Sequence, residues 1–141
     1  MKKIGFLFMM FVALFVNLSS VSGQANDSLD LSMQQPKLTA IPDYVFNKTD
    51  LRKLDVSFNH ISAISPKIVN LTKLEVLNLS GNEYLRELPD FLLNMESLKT
   101  IYFEGMKTWS QAKQDAAVQR FAQKGINIIL NEQFSGVTDQ E

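Results

Sequence analysis

A single histidine, His60, and no cysteine occur in the 141 residues, and no Gly-rich phosphate loop is present. Nucleophilic or zinc chemistry needs an activated nucleophile or a set of N and S ligands. His60 follows Asn59 in a turn and reads as a solvated turn residue. The remaining candidates are carboxylates. Asp30 and Asp55 sit in the middle of apolar-x-apolar triplets, and Asn78, Tyr102 and Asn127 hold the same place in three more. Two carboxylates stacked in one column could exchange a proton or hold a cation. The column continues as Asn and Tyr, however, and polar residues on a solvated face are the plainer account. Nucleophile, base and orienting group cannot be assembled, so the chain reads as a non-enzyme with no catalytic, cofactor-binding or metal-ligating residue.

The columns beside this one hold chemistry suited to recognition. One contains Ser32, Ser57, Ser80, Glu104 and Ile129, and the next Met33, Phe58, Gly81, Gly105 and Leu130. Val76 joins from the preceding position. Phe58, Val76, Tyr102 and Ile129 are thus expected to form an apolar patch among small polar residues, and such patches mark partner sites. The candidate partner-binding set is Asp55, Phe58, Val76, Asn78, Tyr102, Glu104, Asn127 and Ile129. The competing reading turns Phe58 inward at the strand end or covers Ile129 with the tail.

These columns exist only if the chain stacks one unit upon itself. The triplets Leu29-Asp30-Leu31, Leu54-Asp55-Val56, Leu77-Asn78-Leu79, Ile101-Tyr102-Phe103 and Ile126-Asn127-Ile128 recur at steps of 23 to 25 residues. Five residues after each first apolar position come Gln34, Asn59, Asn82, Met106 and Asn131. A fixed period of this length predicts a solenoid. The stretches 38–50, 61–73 and 85–97 also superpose: Leu38, Ile61 and Leu85 match, as do Ile41, Ile64 and Leu88, then Val45, Ile68 and Leu92, and Asn47, Asn70 and Asn94. Leu51, Leu74 and Leu98 follow four residues later. On these positions the sequence resembles the leucine-rich repeat family in its short form, LPxxLxNLxxLxxLxLxxNxL, over residues 29–106 and more loosely beyond.

The resemblance implies an α/β solenoid with about five short parallel strands on its concave face and short helical or 3₁₀ turns on its convex face. Elementary physics agrees. An apolar-x-apolar step buries two side chains and exposes the one between. The Asn falls where the chain leaves the strand, and its amide can satisfy backbone groups stranded inside. Pro42 and Pro89, each followed by Asp, suit the start of a helical turn; in the middle unit the proline moves to Pro66. The last unit departs from the pattern. Met106 replaces the Asn, and residues 109–124 predict a true helix, with Thr108 and Gln111 as a capping box, Gly125 as its stop, and Ala117, Val118, Phe121 and Ala122 on its apolar face opposite Lys113, Arg120 and Lys124. Residues 109–131 are therefore expected to cap the repeat domain of residues 29–131.

The ends read differently. Lys2 and Lys3, the apolar run from Ile4 to Val16 and the small residues Val21-Ser22-Gly23 predict a signal peptide over residues 1–23. Its apolar run is shorter than the ~20 residues a spanning helix needs, which leaves that transient peptide as the only membrane element. Residues 24–28 and 132–141 are polar and expected to be disordered. Without Lys2 and Lys3 the chain has 12 basic and 15 acidic residues, too few positive charges for a nucleic-acid partner. An exported chain without cysteine must cap its ends by packing alone, which together with the compact signal peptide suits a bacterial exported protein. Beyond the expected signal peptide, Asn-x-Ser/Thr occurs at Asn26, Asn47, Asn70 and Asn78, and the repeat itself generates this motif.

The resemblance implies a secreted, periplasmic or cell-surface binding module for a protein, peptide or glycan, acting without a cofactor. The alternative is an assembly component of the cell envelope that self-associates weakly through an end strand. Size restrains the first reading. Five strands at ~4.8 Å present roughly 500 Å², against about 800 Å² per partner in a standard interface.

Overall fold

The structure is a computed structural model that describes residues 27–130. Residues 1–26, over which a signal peptide (1–23) and the start of a disordered linker (24–28) were expected, lie outside the described residues, as do Asn131 and residues 132–141. The linker expectation is corrected at Ser28, which opens the first strand by pairing with Lys53. Within them the chain forms a leucine-rich-repeat solenoid. Five strands of three residues, β1 (Ser28–Asp30), β2 (Lys53–Asp55), β3 (Val76–Asn78), β4 (Thr100–Tyr102) and β5 (Asn127–Ile129), make one parallel sheet in sequential order. Leu29, Leu54, Leu77, Ile101 and Ile128 pair across it and point to the core.

On the far side, 3₁₀ turns span Asp43–Asn47, Pro66–Asn70 and Asp90–Asn94. Pro42 and Pro89 precede the first and third in extended geometry, and Ser65 caps the second by accepting from the Lys67 amide. Each turn drops one aliphatic residue, Val45, Ile68 or Leu92, fully into the core. The shift of proline to Pro66 therefore changes how the turn starts and leaves what it buries unaltered.

The interior asparagines do what a buried amide must. Asn82 Nδ2 donates to the Val56 and Leu79 carbonyls at 3.0 and 2.9 Å, and its Oδ1 accepts from the Ile61 amide at 3.0 Å. Asn59 repeats the arrangement with Leu31, Val56 and Leu38. One side chain thus ties its own coil to the preceding one, and both are buried.

The C-terminal unit is built otherwise. Met106 is buried, and Trp109 Nε1 donates to the Leu85 carbonyl at 2.8 Å while its ring meets Phe103 edge-on at 4.7 Å. Helix α1 spans Gln111–Ala122. The expected capping box is not formed: Ser110 is the N-cap, accepting from the Lys113 amide, whereas Thr108 Oγ1 donates to the Glu83 carbonyl of the previous unit and Gln111 to Asp115. The helix starts later because Trp109 is drawn into the core. Its buried face is Ala117 and Phe121 with Val118 half-buried, while Ala122 is exposed. Gly125 ends it as expected, at φ +75°, with its amide on Ala122 and the Ile126 amide on Phe121. These paired bonds and the buried Ile126 form a Schellman termination.

Formal charge alternates along the array. Residues 27–50 carry four acidic and two basic residues, 51–73 one and four, 74–97 five and one, and 98–130 two and five. The units therefore run −2, +3, −4, +3. All seven ion pairs among the described residues join neighbouring units, among them Lys67–Asp43 at 3.0 Å, Lys73–Asp50 at 2.5 Å, Lys107–Glu83 at 3.2 Å and Arg120–Asp90 at 3.0 Å. Exposed pairs contribute little singly, but opposite sign between neighbours removes the repulsion that stacking like-charged units would bring.

Candidate interaction surface

Because side chains alternate along a strand, each three-residue strand offers two to the outer sheet face. The first column is Ser28, Lys53, Val76, Thr100 and Asn127, and the second Asp30, Asp55, Asn78, Tyr102 and Ile129. Two expectations are corrected here. Asn127 does not follow Tyr102 in its column but pairs with Thr100, and Ile129 takes the place beside Tyr102 rather than one beside Glu104. The fifth strand is two residues out of the expected register because the Ile126 amide is used by the helix terminus. Ile128, rather than Ile126, is thus the residue that pairs with Ile101.

The acidic half of the second column is held by hydrogen bonds. Asp55 Oδ1 accepts from the Ser57 amide at 2.9 Å and the Ser57 hydroxyl at 2.6 Å, and its Oδ2 from Asn78 Nδ2 at 2.9 Å. Asn78 Oδ1 in turn accepts from the Ser80 amide. Asp30 accepts from the Ser32 amide at 2.8 Å, and its bonds to Ser32 hold its carboxyl below the usual carboxylate range. These carboxylates shape the strand exits, and among the described residues no three His, Asp or Glu side chains converge as metal ligands would. Glu104 sits half-buried at the next exit, its amide donating to Ser80 Oγ and its carbonyl accepting from the Gly81 amide.

The apolar half of the face lies toward the C-terminus. Tyr102 and Ile129 are register partners in β4 and β5, with Val76 one strand away and Thr100 beside it. All four are half-buried. Phe58 does not join them. It adopts φ +53° in the turn after β2, is 49% exposed, and lies against Gly81, where an added Cβ would come within 2.5 Å of Phe58 Cδ1. It neither turns inward nor stands on the strand face. The same left-handed step recurs at Met33, Gly81 and Gly105, at φ +51°, +68° and +67°, so the turn imposes the conformation and only the last two positions carry the residue that adopts it freely.

Sequence reasoning missed two features. Along the strand entry, Asp27, Arg52, Glu75 and Lys99 form one ladder: Arg52 reaches Asp27 at 4.0 Å and Glu75 at 2.5 Å, and Lys99 reaches Glu75 at 2.9 Å. The bonds from Lys99 and Arg52 hold the Glu75 carboxyl below the usual range. The spacing of opposite charges at i to i+23, i+24 or i+25 was the available signal. The second is a groove of about 430 Å³ between the last 3₁₀ turn and α1, lined by Leu88, Trp109, Ala117, Lys113 and Arg120 among others. Its cations are engaged, Lys113 with the Arg86 carbonyl and the Trp109 ring face, and Arg120 with the Leu88 carbonyl and Asp90.

Comparison with known proteins agrees with this geometry. Leucine-rich repeat-containing protein 58 of Xenopus tropicalis is 32% identical over 110 residues, a match covering 60% of this chain. The chain spans about a third of that relative's length, the match taking in 31% of it. Residues 49–94, which hold β2, β3 and both asparagine ties, match the family model described as Leucine Rich repeats (2 copies).

Proposed function

We propose that the chain is an exported binding module that takes a protein or peptide ligand on the C-terminal half of its concave sheet face, around Val76, Thr100, Tyr102 and Ile129. The observation that carries this reading is the register pairing of Tyr102 with Ile129, which puts an aromatic and a β-branched side chain side by side, next to Val76 and Thr100, on a face otherwise lined by Ser, Lys, Asp and Asn. An aromatic anchor with polar groups around it is the composition of an interface centre. The Asp55–Asn78 pair supplies fixed hydrogen-bond acceptors and donors at its border. Export rests on the signal-peptide pattern of residues 1–23.

The area restraint still applies, so the ligand is an extended segment or a small patch. The test is affinity capture from the envelope and medium of the source organism, with the wild type, Tyr102→Ala and Ile129→Ala as parallel baits. A captured protein lost with both variants, while their circular dichroism is unchanged, supports the assignment. A partner held equally by all three sinks it. Phe58→Ala serves as the comparison on the neighbouring turn: loss there alone moves the site from the sheet face to the left-handed ledge.

A further inference from the structure

We infer that the flank of the solenoid between its second and third units is a binding site for a neutral saccharide, seated on Tyr84 and held by Arg86, Glu87 and Ser62. The site begins in the sequence. After the interior Asn59 the next buried residue is Ile61, whereas after Asn82 it is Leu85, one position later. Tyr84 is the extra residue. The Leu85 amide turns back to the Asn82 carbonyl at 3.0 Å, and Tyr84 stands 54% exposed. The flanks of the first two units are tied by the His60 and Ser62 amides, which donate to the Leu38 and Thr39 carbonyls. Among the described residues no backbone bond crosses from residues 62–66 to residues 84–89. The two segments therefore part, and between them lies a groove of about 370 Å³ with Ile64, Pro66 and Phe91 in its apolar lining.

The state of its polar groups marks this groove as a site. Tyr84 meets His60 edge-on, with ring centroids 5.1 Å apart at 82°, so the ring is oriented while the residue stays open to solvent. Among the described residues the Arg86 guanidinium, the Glu87 carboxylate and the Ser62 hydroxyl make no hydrogen bond or ion pair, and all three residues line the groove. The neighbouring groove of about 430 Å³ shares Glu87 and Pro89 with this one. There, however, Lys113 already covers the Trp109 ring face, and Arg120 is held by the Leu88 carbonyl and Asp90. The larger groove is a seam closed by its own side chains. The smaller one keeps its aromatic ring, its donor and its acceptor unengaged.

This composition selects the ligand. A guanidinium only donates, a carboxylate only accepts and a hydroxyl does both, and the adjacent hydroxyls of a sugar answer all three at once. A side chain of either charge is attracted by one of Arg86 and Glu87 and repelled by the other. The C–H face of the same sugar finds in Tyr84 a large apolar ring with a polar tip. The volume lies at the low end of the ~300–1,000 Å³ typical of ligand sites, so the groove takes a short stretch of saccharide. It sits on the flank and not on the sheet face, and either this site or the peptide site proposed above can fail without the other.

The test is an NMR titration of the chain, in the form its host leaves it, with neutral oligosaccharides of glucose, mannose, galactose and N-acetylglucosamine, each taken to millimolar concentration. With at least one series, saturable amide shifts are expected at residues 62–66 and 84–91, unchanged in ~1 M salt, where the Debye length is about 3 Å. Tyr84→Ala is expected to abolish them and Tyr84→Trp to retain them. Arg86→Gln and Glu87→Gln should each weaken binding about tenfold, the weight of one hydrogen bond to a charged group, and Tyr102→Ala should leave it intact. Absence of saturable shifts with every series overturns the inference. So do shifts centred on the sheet face, binding that survives Tyr84→Ala, or a groove that answers instead to free amino acids or short peptides and releases them in salt. Circular dichroism checks that each variant is folded. Should Tyr84→Ala not fold, the two charge variants decide: weakening by either supports the site, and indifference to both overturns it.

Discussion

The middle of this solenoid and its C-terminal end solve the same problem by opposite means. Around Asn59 and Asn82, three-residue strands and short turns leave backbone groups stranded inside, and one amide per coil ties them to the coil before. Around Met106 the corresponding interior is apolar, and a single indole N–H, that of Trp109, carries the tie to Leu85. The middle units repeat because each presents its successor with the surface it received. The last unit has no described successor, so it substitutes bulk, in Phe103, Trp109 and Phe121, and a helix whose own backbone bonds are internal. Translation of a polar device suits an interior; aromatic packing suits an end.

The contrast can be broken most severely at Trp109. Trp109→Ala removes a buried aromatic, its contact with Phe103 and the bond to Leu85, and is expected to cost about 3–5 kcal/mol in denaturant melts. Trp109→Phe should recover most of this and retain only the cost of the unmet carbonyl. Next comes the middle: Asn82→Ala leaves the Val56 and Leu79 carbonyls and the Ile61 amide unmet, at about 1–3 kcal/mol for each partner that water does not reach. If hydrogen exchange in β2 and β3 is unchanged in that variant, the amide tie is not what joins the coils. Gly81→Ala tests the turn between them. A left-handed residue with a side chain costs about 1–2 kcal/mol, and the new Cβ would strike the Phe58 ring. Adding Phe58→Ala should relieve the clash and leave the conformational part.

The smallest effect is the ionic ladder. The Glu75 carboxyl is held low, first by its bond from Lys99 and then by Arg52. A group so depressed adds stability above its ordinary titration range and loses it as pH falls through the folded value. The difference in melting temperature between the wild type and Glu75→Gln should therefore be present at neutral pH and vanish on acidification. It should also shrink with salt, since the ladder is exposed. A difference independent of pH would assign the effect to packing.

Most of the array was legible because its period is strict. The core positions Leu54, Leu77 and Ile101, the two asparagines and the stop at Gly125 are each the simplest way to satisfy a local rule. The fifth strand was misjudged because Ile126-Asn127-Ile128-Ile129-Leu130 fits the apolar alternation in two registers. What separates them is the Ile126 amide, bound by Phe121, a contact set by where α1 ends rather than by the strand. The cap residue was misjudged for a related reason: Thr108 and Ser110 both suit an N-cap, and the choice follows from Trp109 swinging into the core. Phe58 was placed by counting along a column. Its position depends on a turn geometry that the glycines at the equivalent positions 81 and 105 hinted at. Each miss lies where two elements meet, beyond the reach of a pattern within one.

The alternation of charge gives the array a parity that bears on how its length can change. Excising residues 51–73 alone would set a unit of −2 against one of −4. Excising 51–97 would bring −2 against +3 and preserve the match. On charge matching alone, removing two coils together is therefore less disruptive than removing one.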